Sequence, residues 1–229
     1  MFTSASRTIR ESTYALIARS ARRTISCGTA FMIAPGVLAT VAHVLYKEAG
    51  DSSSFQDSIR VMRDPEINTG HKMEEAKVIA VDVEYDIGLL RIASPRSQAS
   101  VVFTTATVLV GTEIAAIGYP LMNPHQITAQ VAVPLLRFQG GHISAIYGKR
   151  SSVSARQLAY YETDMPMYKG SSGCPGFLRN GVVFAIHVAE WHDGGSKENP
   201  GQRAFSMWAP ASAIISLSRE NKIDIPSST

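Results

Sequence analysis

Cysteine is scarce in this chain: Cys27 and Cys174 are the only two in 229 residues. Two thiols cannot build the disulfide framework of a small secreted protein. Long apolar runs are missing too, and none approaches the ~20 residues that a membrane-spanning helix needs. The start, MFTSASRTIRESTYALIAR, lacks the apolar stretch of a secretory signal and reads as a short exposed arm leading into a first strand. The expected location is the cytoplasm, with no membrane contact. A large charge of either sign is also lacking, since the formal net charge is only +3. The basic excess near the start (Arg7, Arg10, Arg19, Arg22 and Arg23, opposed by Glu11) reads as a solvated edge. No aromatic residues interleave with a basic stripe, which argues against nucleic-acid binding. His71, His125, His142 and His192 have no partners at ligand spacing, so neither a metal nor a cofactor is expected.

What remains is a chain able to build a full core. Hydrophobic residues make up 45% and charged residues 18%, which suits one ordinary domain or two small halves closing on each other. Short segments rich in Val, Ile, Thr and aromatics recur between Gly, Pro, Asn, Asp and Ser clusters. They fall at 14–18, 28–33, 37–41, 58–62, 77–82, 88–92, 101–110, 113–118, 127–133, 135–138, 141–147, 158–162, 176–178, 182–188 and 204–207. Evenly spaced strands without intervening helices indicate an all-β sandwich or barrel. Ala213, Ile214 and Leu217 lie at helical spacing, so 210–221 is expected to close the chain as a helix. Segments 49–54, 148–155 and 192–202 carry turn chemistry, and 227–229 reads as a frayed tail.

Three blocks carry chemistry. The first, 28–43, is a strand, a Pro35-Gly36 turn, a second strand and then Ala42-His43, which fixes a histidine at the end of an apolar strand. The second, 84–92, sets Asp86 immediately before the apolar run Ile-Gly-Leu-Leu. The third, Lys169-Gly-Ser-Ser-Gly-Cys-Pro175, is a tight turn exposing a serine. A serine hydroxyl needs a neighbouring base to accept its proton, and an imidazole can do so near neutral pH. A carboxylate on the other ring nitrogen would fix the tautomer. Asp82 is a second candidate acid and Ser171 a second candidate nucleophile.

The order His, Asp, Ser separates one hydrolase class from the others that use these residues. Thr40-Val-Ala-His43, Asp86-Ile-Gly-Leu-Leu90 and Gly170-Ser-Ser-Gly-Cys-Pro175 resemble the signature blocks of trypsin-like serine peptidases. Ala116-Ile-Gly-Tyr-Pro120, Gly141-His-Ile-Ser144, Glu162-Thr-Asp164 and Ala204-Phe-Ser-Met-Trp-Ala-Pro210 resemble segments of the bacterial HtrA and glutamyl-endopeptidase branch. The resemblance implies two antiparallel β-barrels, 13–105 and 106–208, after an arm at 1–12 and before a closing helix and tail at 209–229. It implies that His43, Asp86 and Ser172 are catalytic and that the N–H groups of Gly170 and Ser172 form the oxyanion hole. It places Met167, Lys169, His187, Val188 and Glu190 around the substrate side chain. His187 there would favour Glu or Gln before the scissile bond; its other reading is a histidine capping a strand.

The pattern also has departures. Ser171 stands where digestive relatives have an aspartate, so activation by insertion of a new terminus is not expected. Val44 stands where relatives pair a cysteine with the one at position 27, so that disulfide cannot form. Cys27 and Cys174 read as buried, inert thiols. The implied activity is endopeptidase cleavage of protein or peptide substrates, constitutive or switched on by an activating protein partner. The alternative is a latent or weak peptide-binding module on the same fold.

Overall fold

The computed structural model describes residues 2–21, 25–48, 54–63, 73–93, 100–123, 134–151, 154–192 and 203–228. Strands β1 (Thr13–Arg19), β2 (Ile25–Ala34), β3 (Val37–Val41), β4 (Ser58–Arg63), β5 (Glu74–Asp82) and β6 (Ile87–Ile92) close into an antiparallel barrel of order β1-β2-β3-β6-β5-β4. Pro35-Gly36 forms the β2–β3 turn, with Gly36 at φ +71° in the left-handed region that glycine tolerates. Strands β1, β2 and β3 are buried on both faces over most of their length. One face fills the barrel, and the other meets the rest of the molecule.

Strands β8 (Glu113–Gly118), β9 (Arg137–Arg150), β10 (Gln157–Thr163), β11 (Pro175–Phe177), β12 (Val182–His192) and β13 (Arg203–Pro210) form the second barrel. Their order is β11-β8-β9-β10-β13-β12, closed by pairing of β11 with β12. Ile114, Ile143, Tyr161, Met165, Phe184 and Trp208 fill much of its core. Among its buried polar groups, Trp208 Nε1 donates to Thr163 Oγ1 at 3.0 Å, and Val108 N–H to the Tyr161 hydroxyl at 3.1 Å. Helix α2 (Ala211–Glu220) follows inside the expected helical segment. The all-β, two-barrel expectation with a C-terminal helix therefore holds.

Four local readings change. Residues 3–12 are not an exposed arm but helix α1 (Thr3–Ser12), with Ala5, Ile9 and Ser12 buried on one face. Phe2 anchors it to the second barrel, its ring 6.0 Å from Phe138 and 5.8 Å from Phe177. The arginines on its outer side hid an apolar stripe that is sparse but correctly spaced. Within 101–110 only β7 (Val102–Thr104) is strand, and it pairs in parallel with β12, so this piece of 13–105 joins the second sheet. Of the tail at 227–229, Ser227 and Ser228 are not frayed: as β14 (Ser227–Ser228) they add to β7. Segments 135–138 and 141–147 form one fourteen-residue strand, β9, across Gly140-Gly141. A Cβ on Gly141 would stand 2.4 Å from both Asp164 Oδ1 and Met165 Cγ, so its absence lets the chain after β10 cross close by. The predicted strand at 127–133, and most of loops 49–54 and 192–202, lie outside the described residues.

Candidate active site

His43 lies just past the end of β3, one residue beyond Ala42, and Asp86 closes the turn before β6, the strand that pairs with β3. Pairing of Val41 with Ile87 brings the two ends together, and Ala42 N–H donates to the Asp86 carbonyl at 3.0 Å. Asp86 sits at φ +58°, a left-handed conformation that aspartate tolerates better than most side chains. Its carboxylate grips His43 at two points. Oδ1 accepts the backbone N–H at 2.8 Å, and Oδ2 lies 2.5 Å from Nδ1. A carboxylate only accepts hydrogen bonds, so Nδ1 carries the proton and Nε2 of the neutral ring keeps its lone pair. The ring is 45% exposed, so Nε2 can be reached from outside.

The other candidate acid is occupied elsewhere. Asp82 Oδ1 caps the turn by accepting the N–H groups of Glu84 and Tyr85, both at 3.0 Å. Its Oδ2 meets Arg156 Nη1 at 3.0 Å. The second barrel grips this same turn. Tyr160 donates its hydroxyl to the Glu84 carbonyl at 2.9 Å, Ala159 N–H donates to the Tyr85 hydroxyl at 3.1 Å, and Ser154 donates to Glu84 Oε1 at 2.6 Å. Motif matching had not singled out Tyr85, Arg156 or Tyr160. Of the three, only Tyr85 adjoins Asp86 in the chain; Tyr160 lies 76 positions from Glu84, so no local pattern marked it.

The serine loop is wound as tightly as its glycines allow. Gly170 lies at φ +95° and Gly173 at φ +87°. Ser171 N–H donates to Tyr168 O at 2.8 Å, Cys174 N–H to Ser171 O at 2.9 Å, and Gly173 N–H to His187 O at 2.9 Å. Ser171 is 1% exposed and its hydroxyl accepts from Tyr168 N–H at 3.3 Å, whereas Ser172 is half-buried and open to solvent. Of the two serines, Ser172 is the one substrate can reach. Among the described residues, the N–H groups of Gly170 and Ser172 meet no protein acceptor. Strand β2 joins this loop to the His43 segment. A Cβ built on Gly28 would lie 3.0 Å from the Ser172 carbonyl oxygen and 3.3 Å from Val44 Cγ2, so Gly28 is wedged between the two blocks.

The residues expected around the substrate side chain divide in placement. Lys169 is exposed and Glu190 half-buried. Met167 is 1% exposed in the second core, and Val188 is buried in the first. His187 is also 1% exposed, its ring meeting Trp208 edge-on at 5.0 Å. Both thiols are free and buried. Burial pushes the Cys27 thiol above its ordinary range, opposed by the Lys169 charge, and raises Cys174 further. Both are therefore poor nucleophiles.

A two-barrel fold with a carboxylate-held histidine from the first barrel and a glycine-turned serine from the second points to the class of trypsin-like serine peptidases. This chain belongs to it: the family model of the trypsin-like peptidase domain matches residues 28–186. Its relatives include a Do-like protease and solved HtrA-type proteases. The Arabidopsis thaliana chloroplastic protease Do-like 1 is 29% identical over 130 residues, which is 56% of this chain and 27% of that protein. The chain thus spans about a quarter of this curated relative. Among solved structures, the Rv3671c protease from M. tuberculosis in its active form superposes with TM-score 0.72 at 16% identity, over 98% of this chain and 86% of that one. The HtrA-type protease AlgW with a tripeptide gives TM-score 0.72 at 19% identity, over 96% and 63%.

Proposed function

We propose that this chain is a serine endopeptidase in which Ser172 is the nucleophile, His43 the general base and Asp86 the residue that orients the histidine. The observation that carries the reading is the two-point grip of Asp86 on His43, which leaves Nε2 as the proton acceptor. Ser172 Oγ attacks the scissile carbonyl carbon while its proton passes to Nε2. Negative charge collects on the former carbonyl oxygen and is received by the N–H groups of Gly170 and Ser172. Collapse expels the amine, which takes the proton from His43. Water then attacks the acyl-enzyme by the same route and frees Ser172.

The finer reading concerns substrate choice. His187 exchanges backbone hydrogen bonds with Gly173 and Cys174, which ties its strand to the serine loop. With exposed Lys169 three residues before Ser172, it would receive a Glu or Gln side chain before the scissile bond. Profiling cleavage of a denatured proteome tests this: enrichment of Glu and Gln at that position is expected, and a preference for large apolar or basic residues refutes it.

A fluorophosphonate probe tests the mechanism. Stoichiometric labelling of the wild type is expected, lost in Ser172→Ala together with on the order of 10⁶ in turnover. Labelling that appears only after a protein partner is added identifies a latent enzyme. No labelling under any condition refutes the proposal and leaves a peptide-binding module on a peptidase fold.

A further inference from the structure

We infer that Thr29, a first-barrel residue outside the three signature blocks' catalytic positions, is a positioning residue whose hydroxyl and N–H hold the serine loop in the shape that aims its oxyanion donors. The inference rests on the peptidase reading above and adds to it the residue that fixes the loop's geometry.

Thr29 lies on β2 and is fully buried. Four hydrogen bonds converge on it. Its N–H donates to the Ser172 carbonyl at 2.8 Å, and its hydroxyl donates to the Gly170 carbonyl at 2.9 Å. The hydroxyl oxygen accepts Tyr119 N–H at 3.0 Å, and its carbonyl accepts the Thr40 hydroxyl at 2.8 Å. The roles are unambiguous. A carbonyl can only accept and a backbone N–H can only donate, so the single hydroxyl proton points to Gly170 while a lone pair faces Tyr119. One side chain therefore ties the first barrel to two separate segments of the second.

What this fixes is peptide orientation. A trans peptide is planar, with its N–H directed opposite its carbonyl. The Lys169–Gly170 plane is held by its carbonyl, which accepts Leu121 N–H at 2.7 Å, so Gly170 N–H points away from that segment. The Gly170–Ser171 plane is held by the Thr29 hydroxyl. Between them Gly170 sits at φ +95°, where glycine is permissive in both directions and supplies no stiffness of its own. A side chain cannot supply it either, because a Cβ on Gly170 would fall 2.6 Å from the Tyr119 carbonyl oxygen. External anchors must set the rotation: Tyr168 O holds the N–H end of the plane after Gly170, and Thr29 holds its carbonyl end from the other barrel. The same threonine also fixes Ser172 through its carbonyl. It touches neither Oγ of Ser172 nor the donor N–H groups, so it acts through the loop.

The comparison is wild type, Thr29→Ser, Thr29→Val and Ser172→Ala, each with its Tm measured. Valine keeps the shape and removes the hydroxyl; serine keeps the hydroxyl and removes only the methyl that packs near Gly118. The readouts are fluorophosphonate labelling rate, kcat and KM on a fluorogenic peptide, and affinity for a peptide boronic acid, which mimics the tetrahedral intermediate, against the cleaved product peptide. Removing one oxyanion donor outright lowers kcat by about 10²–10³, so displacing one is expected to lower it by about 10–10² in Thr29→Val. KM and product affinity should stay within about twofold, boronate affinity should fall with kcat, and Thr29→Ser should recover most of the rate. A purely structural role would move Tm without separating the boronate from the product. Where valine prevents folding, Thr29→Ala carries the same comparison. A wild type that labels alongside an equally fast Thr29→Val, or a Thr29→Ser as slow as the valine variant, overturns this inference alone. A wild type that never labels overturns the peptidase reading and this inference with it.

Discussion

Asp86→Asn replaces two acceptors by one acceptor and one donor, at a residue where both oxygens are engaged. In the wild type, Oδ1 takes His43 N–H at 2.8 Å and Oδ2 faces Nδ1 at 2.5 Å. The asparagine has two choices. If its amide faces the backbone N–H, two donors are pressed together, at a cost of about 1–3 kcal/mol for the unpaired groups. If its oxygen stays on the backbone N–H, the amide faces Nδ1, which must then accept. The ring proton moves to Nε2, and His43 presents an N–H to Ser172 in place of a lone pair. The second arrangement satisfies every group and is the one expected. It removes the base without removing the histidine, and that defect is worth about 10⁴ in kcat, or roughly 5 kcal/mol at 1.36 kcal/mol per decade. Backbone strain does not confound the comparison, since asparagine accepts φ +58° as readily as aspartate. The assay is kcat on a fluorogenic peptide at neutral pH with Tm measured in parallel. Activity within tenfold of wild type, in a variant that folds normally, would refute the tautomer argument and the assignment of Asp86.

Three further outcomes follow from the packing. Gly173→Ala puts a Cβ 2.2 Å from the Thr29 carbonyl oxygen at φ +87°; left-handed strain alone costs about 1–3 kcal/mol, and the clash adds to it, so urea denaturation should show a loss of at least about 3 kcal/mol. Stability should fall as pH climbs above the ordinary thiol value of 9.0, because Cys27 and Cys174 keep their protons when folded and release them when unfolded. Tyr14, raised to about 12 by burial, extends the decline, and Cys174→Ala should flatten the first part of the curve of Tm against pH. Ile9→Ala, on the buried face of α1, should cost about 2–5 kcal/mol; a loss under about 0.5 kcal/mol would mean that α1 is not docked in solution.

Legibility in the sequence followed the range of the interaction. His43 and Asp86 could be found because each ends or begins an apolar strand, and adjacent β3 and β6 need only pair in register to join them. The serine loop was visible because positive φ at 170 and 173 restricts those positions to glycine. Ser171 and Ser172 are chemically alike; the register with Gly173 and Pro175 favoured the second, and burial of the first adds an independent reason. Asp82 and Asp86 are likewise both carboxylates; the family pattern favoured Asp86, and their hydrogen bonds separate capping a turn from holding a ring. Helix α1 was misread because Phe2, Ala5 and Ile9 make a thin stripe among arginines, and only Phe138 and Phe177 beneath it give that stripe a surface to bury.

From residue order alone come the strand-rich pattern, the three chemical blocks and their grouping into one family, since periodicity, turn chemistry and motif spacing are local properties. Tertiary structure alone decided which parts of the two barrels brace each other. Thr29 and Gly170 are 141 positions apart, and Tyr160 is 76 from Glu84. Bonds between such groups form only after both barrels have closed, because a hydroxyl carries no mark in the chain of the carbonyl it will meet.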